Sequence, residues 1–229
     1  YVEHGHQYDI LNKINYELMF IKYKGKTILN MPWLAFGLVG KYMHIKEQYP
    51  FMERIFPRPS LFSWNRNVGR MLTRYSLRYL FLSIFYYPIR YFFDPTYGFP
   101  KGILTNLFRK LKSSHWEPDD VVDIFKNHHR SKFEKNKLFV LGHNHRYNIK
   151  QKKKYALIQL DCWRDEYLIN KKGRLIPKEK YYARILVNGE ELDWKVLQYP
   201  IKRTSFNFKS VAKNEIKYLH KAAKEEGYH

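Results

Sequence analysis

Two of the ten histidines in this chain follow a strongly apolar run at a spacing that suits metal ligation. They are His143 and His145 in the segment Gly142-His143-Asn144-His145, which comes directly after the apolar residues 138–141. Neutral imidazole is a common ligand of transition metals. Alternate residues of an extended segment point to the same face, so the two rings are predicted to share one metal centre or to bridge two neighbouring ones. Two loop histidines that follow a strand by chance are the alternative.

A second histidine cluster lies near the other end of the chain, in His4-Gly5-His6 with Asp9 shortly after. The early H-G-[HD] block and the late apolar-G-H-x-H-R block, which ends at Arg146, together resemble the last two metal-binding blocks of the calcineurin-like metallophosphoesterases. Within that superfamily the chain is most similar to the UDP-2,3-diacylglucosamine pyrophosphatase type. The segment from Ala156 to Trp163 also resembles the strand that follows the GHxH turn in this family.

The resemblance implies both a fold and a set of ligands. The fold would be α/β, as the C-terminal part of a four-layer αββα sandwich with a large helical insertion. His4 and His143 would bind one metal and His145 its partner, in a centre of two divalent ions (Mn, Fe or Zn). Four further residues are candidates to orient these ligands or to contact the substrate: His6, Asp9, Asn144 and Arg146.

Three other blocks of that family do not occur in this sequence, namely D-x-H, G-D-x-x-D and G-N-H-[DE]. A two-metal hydrolytic centre needs bridging and terminal ligands that hold the ions roughly 3.5–4 Å apart. Three histidines cannot provide them. We therefore expect this chain to supply only the C-terminal ligands of a longer enzyme, to bind metal weakly and to be inactive by itself.

The composition narrows the possible partners and the compartment. The chain has 229 residues, of which 42 are Lys or Arg and 21 are Asp or Glu, for a formal charge of +21. Such a balance attracts polyanions, whether phosphorylated substrates, anionic lipid or nucleic acid. The single cysteine, Cys162, excludes an internal disulfide and fits a reducing compartment. We expect a cytoplasmic protein, with peripheral attachment to the inner face of the membrane as a further possibility.

The chain divides into three parts by its pattern. Residues 1–15 suit a core strand and the first ligand turn, residues 16–118 a helical insertion interrupted by prolines, and residues 119–229 an α/β core. In the last part we predict a helix at 121–136, strands at 138–141 and 155–160, a hairpin and a basic helix at 210–226. The hairpin joins 181–187 to 192–199 through an Asn188-Gly189 turn.

The insertion is rich in arginine and aromatic residues. Arg66, Arg70, Arg74 and Arg78 fall four apart, on one helical stripe beside Trp64, Tyr75 and Tyr79. This pattern suits helices that lie at an anionic lipid surface. An ordinary helical subdomain and a nucleic-acid-binding surface are the alternatives. In the family that the chain resembles, an insertion at this position forms a lid over acyl chains, which adds weight to the lipid interpretation.

The function predicted from these features is metal-dependent hydrolysis of a phosphoester or pyrophosphate bond. The substrate would be a phosphorylated small molecule or a lipid-linked or nucleotide-linked phosphate. The alternative is a non-catalytic basic protein that binds nucleic acid or a membrane surface. Nucleic acid is the weaker of these partners, because the sequence contains no recognised nucleic-acid-binding motif.

Overall fold

The computed structural model of this chain is mixed α/β, which confirms the predicted class. It describes residues 1–9, 18–32, 42–98, 131–200 and 202–225, together with positions 12, 14, 35, 105, 125 and 227. The chain forms two compact units. Unit 1 comprises Tyr1–Glu3, His44–Met71 and Asn136–His229, and unit 2 comprises His4–Met43 and Leu72–Lys135.

The secondary-structure elements are numbered in chain order. The strands are β1 (Val2–Glu3), β2 (Phe20–Tyr23), β3 (Lys26–Leu29), β4 (Ile55–Phe56), β5 (Leu138–Leu141), β6 (Asn148–Gln151), β7 (Ala156–Gln159), β8 (Tyr167–Ile169), β9 (Arg174–Pro177), β10 (Tyr181–Asn188), β11 (Glu191–Gln198) and β12 (Phe206–Asn207). The helices are α1 (Tyr42–Gln48), α2 (Arg58–Trp64), α3 (Arg66–Phe81), α4 (Tyr87–Tyr91), α5 (Lys132–Lys135), α6 (Phe208–Lys213) and α7 (Glu215–Glu225). A π-helical turn, Leu82–Tyr86, joins α3 to α4.

The first sheet of unit 1 has the order β1-β5-β7-β6. β5 is parallel to both β1 and β7, and β6 is antiparallel to β7. All four residues of β5 and of β7 are buried. Strands that are covered on both faces are mostly apolar along their length, and this pattern made both strands recognisable in the sequence, although β7 ends in the polar Gln159. The predicted strand at 138–141 is confirmed, and the one at 155–160 is confirmed with slightly shorter bounds.

The hairpin β10–β11 covers one face of this sheet. Its Ile185 and Trp194 are cross-strand partners and pack against the buried Val140 and Ile158. The hairpin was predicted correctly, but its turn lies one residue later than expected. Asn188 pairs with Glu191, so the loop is Gly189-Glu190, and a glycine with φ of 58° at its first position suits a type II′ turn. Burial of the apolar face, with its period of two, fixes this register.

The second sheet of unit 1 has the order β12-β9-β8-β4. Phe51, Tyr167 and Phe206 form an aromatic cluster beside it, with ring centroids 5.2 to 6.2 Å apart. Phe51 and Tyr167 are fully buried. β4 pairs in parallel with β8, so a segment predicted as part of the helical insertion contributes a strand to this sheet.

Unit 2 contains a hairpin that the helical pattern of residues 16–118 did not predict. β2 and β3 pair antiparallel around Lys24-Gly25, whose φ angles of 49° and 74° are typical of a type I′ turn. The predicted helix at 121–136 falls largely outside the described residues. In the part of it that is described, Lys132–Lys135 is helical. Within the described part of the chain, no helix has both the length and the apolarity that a bilayer crossing would require.

The basic C-terminal helix predicted at 210–226 is in fact two helices. α6 ends at Lys213, Asn214 has φ of −155°, and α7 begins at Glu215. The side chain of Asn214 accepts a hydrogen bond from the backbone N–H of Lys217 at 3.1 Å. An asparagine whose side chain caps the following helix competes with the continuous helix, which accounts for the break.

Glu215 is expected to make the stability of unit 1 depend on pH. Burial raises the pKa of its carboxyl from 4.5 to about 7, although the Phe51 backbone N–H, 2.8 Å away, opposes the rise. Between these two values the folded chain holds a proton that the unfolded chain has released. Stability should therefore fall as the pH rises from 4.5 through about 7 and stay level above that.

Glu215→Gln is expected to remove this dependence, since an amide oxygen can still accept the Phe51 hydrogen bond. At about pH 8 the variant should be more stable than the parent by roughly 1–2 kcal/mol, after allowance for solvent screening of a half-buried group. Urea unfolding at about pH 5 and about pH 8 measures the difference. Glu225→Gln is the control, because the carboxylate of the half-buried Glu225 also accepts a hydrogen bond from a backbone N–H, that of Thr204. A parent chain that gains stability across this range would contradict the prediction.

Candidate functional site

The predicted ligand turn follows β5, but it does not continue the strand. His143 and His145 have φ angles of 78° and 52°, in the left-handed region that side chains other than glycine seldom adopt. The expectation that the two histidines alternate along an extended segment is therefore wrong. Such outliers concentrate at ligand-binding and catalytic sites, where the surrounding structure holds the backbone in place.

The side chain of His145 is bound to a buried glutamate. Its Nδ1 lies 2.7 Å from Oε1 of Glu166, whose side chain is 1% exposed, while the His145 side chain is 33% exposed. Glu166 precedes β8 directly and is 21 residues away from His145 in the sequence. The fold therefore provides an acceptor for one ring nitrogen of His145, as ligand histidines usually require.

Two cationic side chains contact the carboxylate of Glu166. Nη2 of Arg164 lies 3.2 Å from its Oε1, and Nζ of Lys178 lies 3.3 Å from its Oε2. Burial by itself would raise the pKa of Glu166, but the hydrogen bond and charge of His145 and the charge of Lys178 outweigh it and lower the pKa to about 2. Glu166 is thus a carboxylate at neutral pH, despite its burial.

Lys178 connects this carboxylate to the backbone of the ligand turn. Its Nζ donates hydrogen bonds to the carbonyl oxygen of His145 and to Oδ1 of Asp161, the latter at 2.9 Å. Burial raises the pKa of Asp161, and the hydrogen bond from Lys178 opposes the rise. Because one ammonium group contacts Glu166, Asp161 and the turn itself, Lys178 fixes the position of His145 at both its backbone and its side chain.

The charge of Glu166 determines which nitrogen of His145 is available. An ionised carboxylate can only accept hydrogen bonds, so Nδ1 of His145 must carry the proton. In the neutral ring the lone pair then lies on Nε2, which is the nitrogen left for a metal ion or a proton. The donor arrangement fits a histidine that binds a divalent metal through Nε2.

Cys162 is the other residue of this cluster that could bind a metal. Within the described residues, ligand atoms of His145, Cys162 and Glu166 lie within 4.8 Å of one another. A metal needs the thiolate, but burial, followed by the charge of Glu166, raises the pKa of the Cys162 thiol to about 12. Glu166 already contacts Arg164 and Lys178. Of these three residues, the surroundings therefore favour only His145 as a direct metal ligand. Glu166 would orient the His145 ring without binding the metal itself.

The remaining candidates of the late block lie in or beside the same turn. His143 and Asn144 are half-buried, and Arg146 is exposed. The Asn144 backbone N–H donates a hydrogen bond to the carbonyl oxygen of Gly142 at 3.1 Å, which closes the turn tightly. These four candidates, His143, Asn144, His145 and Arg146, are consecutive residues at this one turn.

The early block forms a turn of its own in unit 2. Gly5 has φ of 95°, and the rings of His4 and His6 have centroids 5.3 Å apart. His4 is exposed and His6 is half-buried. Asp9 is buried, and its carboxylate accepts a hydrogen bond from Nδ2 of Asn12 at 2.6 Å. The early and late candidates thus belong to different compact units.

Sequence reasoning did not identify Glu166, Lys178, Arg164 or Asp161. A weak signal marks only the two acids of this set, Asp161 and Glu166, which lie on either side of the single cysteine in the segment that follows a buried strand. Comparison with known proteins adds nothing to this assignment, because no family model, curated protein or solved structure matches the chain.

Proposed function

We propose that this chain provides histidine ligands to a two-metal centre that hydrolyses a phosphoester or pyrophosphate bond. The substrate class would be a phosphorylated small molecule or a lipid-linked or nucleotide-linked phosphate. The observation that carries the proposal is the 2.7 Å contact between Nδ1 of His145 and the buried Glu166, because it leaves Nε2 available as a ligand. The type of enzyme follows from the resemblance of the two histidine blocks to the calcineurin-like metallophosphoesterases.

The topology of the first sheet supports the same proposal. β1 and β5 are neighbouring parallel strands, with Glu3 opposite Leu141 in the register. β5 is followed directly in the sequence by the Gly142-His143-Asn144-His145 turn. In open α/β sheets ligands bind beyond the carboxyl ends of the strands. We infer that this sheet and the covering hairpin β10–β11 are part of the four-layer αββα sandwich that the resemblance implies.

A buried amide group beside the ligand turn also supports a site for phosphate. Gln159 is 3% exposed and lies opposite Leu141, the residue that precedes the GHNH turn. Its Nε2 donates no hydrogen bond within the described part of the chain. A buried donor without an acceptor is costly, and a phosphate oxygen is an acceptor that would satisfy it.

The chain's own residues would act by positioning. When bound, the divalent ions would supply the Lewis acidity that activates water and neutralises charge on the phosphoryl oxygens. Glu166 would keep the His145 ring in one orientation and one tautomer, and Lys178 would hold the turn that carries it. Imidazole suits Mn, Fe and Zn alike, so these residues do not select one of them.

Mn²⁺ binding by the 229-residue chain, followed by electron paramagnetic resonance, tests the proposal. His145→Ala is expected to weaken binding by more than about a hundredfold, since loss of only the outer partner of a ligand commonly costs 10–100-fold. His220→Ala is the matched control, because His220 is an exposed histidine of α7 in the same unit. Equal Mn²⁺ affinities of the parent chain and His145→Ala would refute the ligand role.

A second measurement tests the reaction itself. Since three ligand blocks of the family do not occur in this sequence, hydrolysis of bis-p-nitrophenyl phosphate by this chain should be close to background. The polypeptide that supplies those blocks, added with Mn²⁺, should restore it in the parent and not in His145→Ala. Restoration that is equal in both would show that His145 is not part of the centre.

A further inference from the structure

A continuous run of large apolar side chains is exposed on unit 2. Five of them, called here the apolar stripe, are between 56% and 85% exposed: Leu77, Phe81, Phe85, Ile89 and Phe92. Single exposed apolar residues are ordinary, but a contiguous group usually marks a surface that binds a partner or a membrane. These five follow one another at spacings of four, four, four and three along one helical run.

The π-helical turn keeps this stripe on one side of the run. In a regular α-helix, positions four apart drift slowly around the axis. The wider turn Leu82–Tyr86 rotates less per residue and offsets that drift. The rings of Phe81 and Phe85, on the two sides of the junction, are in contact with centroids 4.8 Å apart. α3, the π-helical turn and α4 therefore present a single apolar edge to solvent.

The same run carries positive charge and no negative charge. Residues 72–93 contain Arg74, Arg78 and Arg90 and not one Asp or Glu. Arg74 and Arg78 are exposed, and they lie three residues before and one residue after Leu77, so they flank the apolar stripe. An amphipathic run with cations beside exposed aromatic and aliphatic residues is the pattern of helices that lie in a lipid interface.

A second element of unit 2 repeats this combination. Phe20 and Leu29 are cross-strand partners in the hairpin β2–β3 and are 62% and 49% exposed. The hairpin also carries the exposed Lys22, Lys24 and Lys26 and has no acidic residue. The Tyr23 hydroxyl donates a hydrogen bond to the Asp94 carboxylate, which ties the hairpin to the chain just after the apolar stripe.

We propose that the apolar stripe and its flanking arginines bind unit 2 to an anionic lipid surface, with the apolar edge in the acyl boundary and the guanidinium groups among the phosphates. The cations and the aromatic rings would also contribute to the affinity for a nucleic acid, but aliphatic Leu77 and Ile89 would not. If a second copy of the chain bound at this surface, two positively charged surfaces would repel each other, because residues 72–93 contain no acidic residue to neutralise them. This attachment is independent of the hydrolytic proposal and uses none of its residues.

Flotation of the full chain with phosphatidylglycerol/phosphatidylcholine vesicles, against pure phosphatidylcholine vesicles, tests this surface. We expect binding to the anionic vesicles only, and weaker binding as salt rises. The variant Phe81→Ser/Phe85→Ser/Phe92→Ser should bind at least about tenfold more weakly. Arg74→Gln/Arg78→Gln should bind roughly ten- to thirtyfold more weakly, because each interfacial cation contributes to the attraction.

Matched variants of unit 1 make the test specific. Leu186→Ser/Val187→Ser/Ile216→Ser removes three apolar residues that are 55% to 71% exposed, and Lys171→Gln/Lys172→Gln removes two exposed cations. Both should bind vesicles as the parent does. All five proteins should share one urea midpoint and one Mn²⁺ affinity, so a loss of vesicle binding can be separated from unfolding and from failure of the metal site.

Four results would overturn the proposal. The first is no binding to anionic vesicles, and the second is equal loss in the unit 1 variants, which would indicate unspecific attraction to charge. The third is an arginine variant that loses affinity for a single-stranded oligonucleotide and keeps its vesicle binding. The fourth is a dimer in sedimentation experiments that the phenylalanine variant dissociates while vesicle binding persists.

Discussion

Replacement of Glu166 by glutamine is expected to lower the Mn²⁺ affinity of the chain by roughly 10- to 100-fold. The amide oxygen can still accept the hydrogen bond from Nδ1 of His145, but it loses the charge that makes the imidazole a stronger donor to a metal. The fold should survive, because Lys178 keeps its contact with Asp161 and Arg164 keeps its contacts with Glu53. Mn²⁺ titration at fixed pH, together with urea unfolding, measures both effects.

Asp165→Asn is the matched control for this experiment. Asp165 is the neighbouring buried acid, and it pairs with Arg54 at 2.7 Å and not with the ligand turn. Its loss should cost stability but leave the Mn²⁺ affinity unchanged. If Asp165→Asn weakens Mn²⁺ binding as much as Glu166→Gln does, Glu166 has only a structural role.

Cys162→Ser separates the two ways in which this cluster could hold a metal. If Glu166 only orients His145 and does not bind the metal, the Cys162→Ser variant should keep its metal affinity. The Co²⁺ complex of the parent should then show no thiolate charge-transfer absorption. If Cys162 and Glu166 are direct ligands, both substitutions would abolish binding, and that absorption would be present in the parent.

Phe51→Ala is expected to cost about 3–5 kcal/mol of the free energy of unfolding. Phe51 is fully buried, and its ring lies 5.4 Å from that of Tyr167 and 6.2 Å from that of Phe206. The change removes the ring and leaves a cavity beside the second sheet, while the backbone hydrogen bond to Glu215 remains possible. Urea unfolding followed by circular dichroism measures the loss.

Phe92→Ala provides the same chemical change at a position that is 85% exposed. It should alter the free energy of unfolding by less than about 0.5 kcal/mol. Similar costs at the two positions would mean that the aromatic cluster around Phe51 is not a packed core.

Local patterns in the sequence predicted the elements that are defined by neighbouring residues. Runs of neighbouring apolar residues predicted β5 and most of β7, because strands that are buried on both faces are mostly apolar along their length. Asn188-Gly189 predicted the hairpin, but only the packing of Ile185 and Trp194 on the first sheet placed its loop one residue later. The break at Asn214 was missed because an asparagine can be tolerated inside a helix or can cap the next one.

In the candidate site, too, some features could be predicted from neighbouring residues and others only from the folded structure. The spacing of His143 and His145 predicted a metal-ligand turn without any structure, since the residue types and the preceding strand are local features. Their left-handed backbone was not predictable, because the extended geometry that we assumed is the ordinary continuation of a strand. Their role as metal ligands, with that of His4, stays a prediction.

What the sequence by itself determined is the set of local features: the two histidine turns, the strands with continuous apolar runs, the hairpin and the charge of +21. Only the tertiary structure decided which ring nitrogen of His145 is available, because Glu166, Arg164 and Lys178 come from other parts of the chain and meet it through the packing of the strands. It also decided that the apolar stripe of unit 2 faces solvent, since the same residues at the same spacing could equally have formed a buried helix face. Burial and long-range charge are properties of the folded chain, and residue spacing does not contain them.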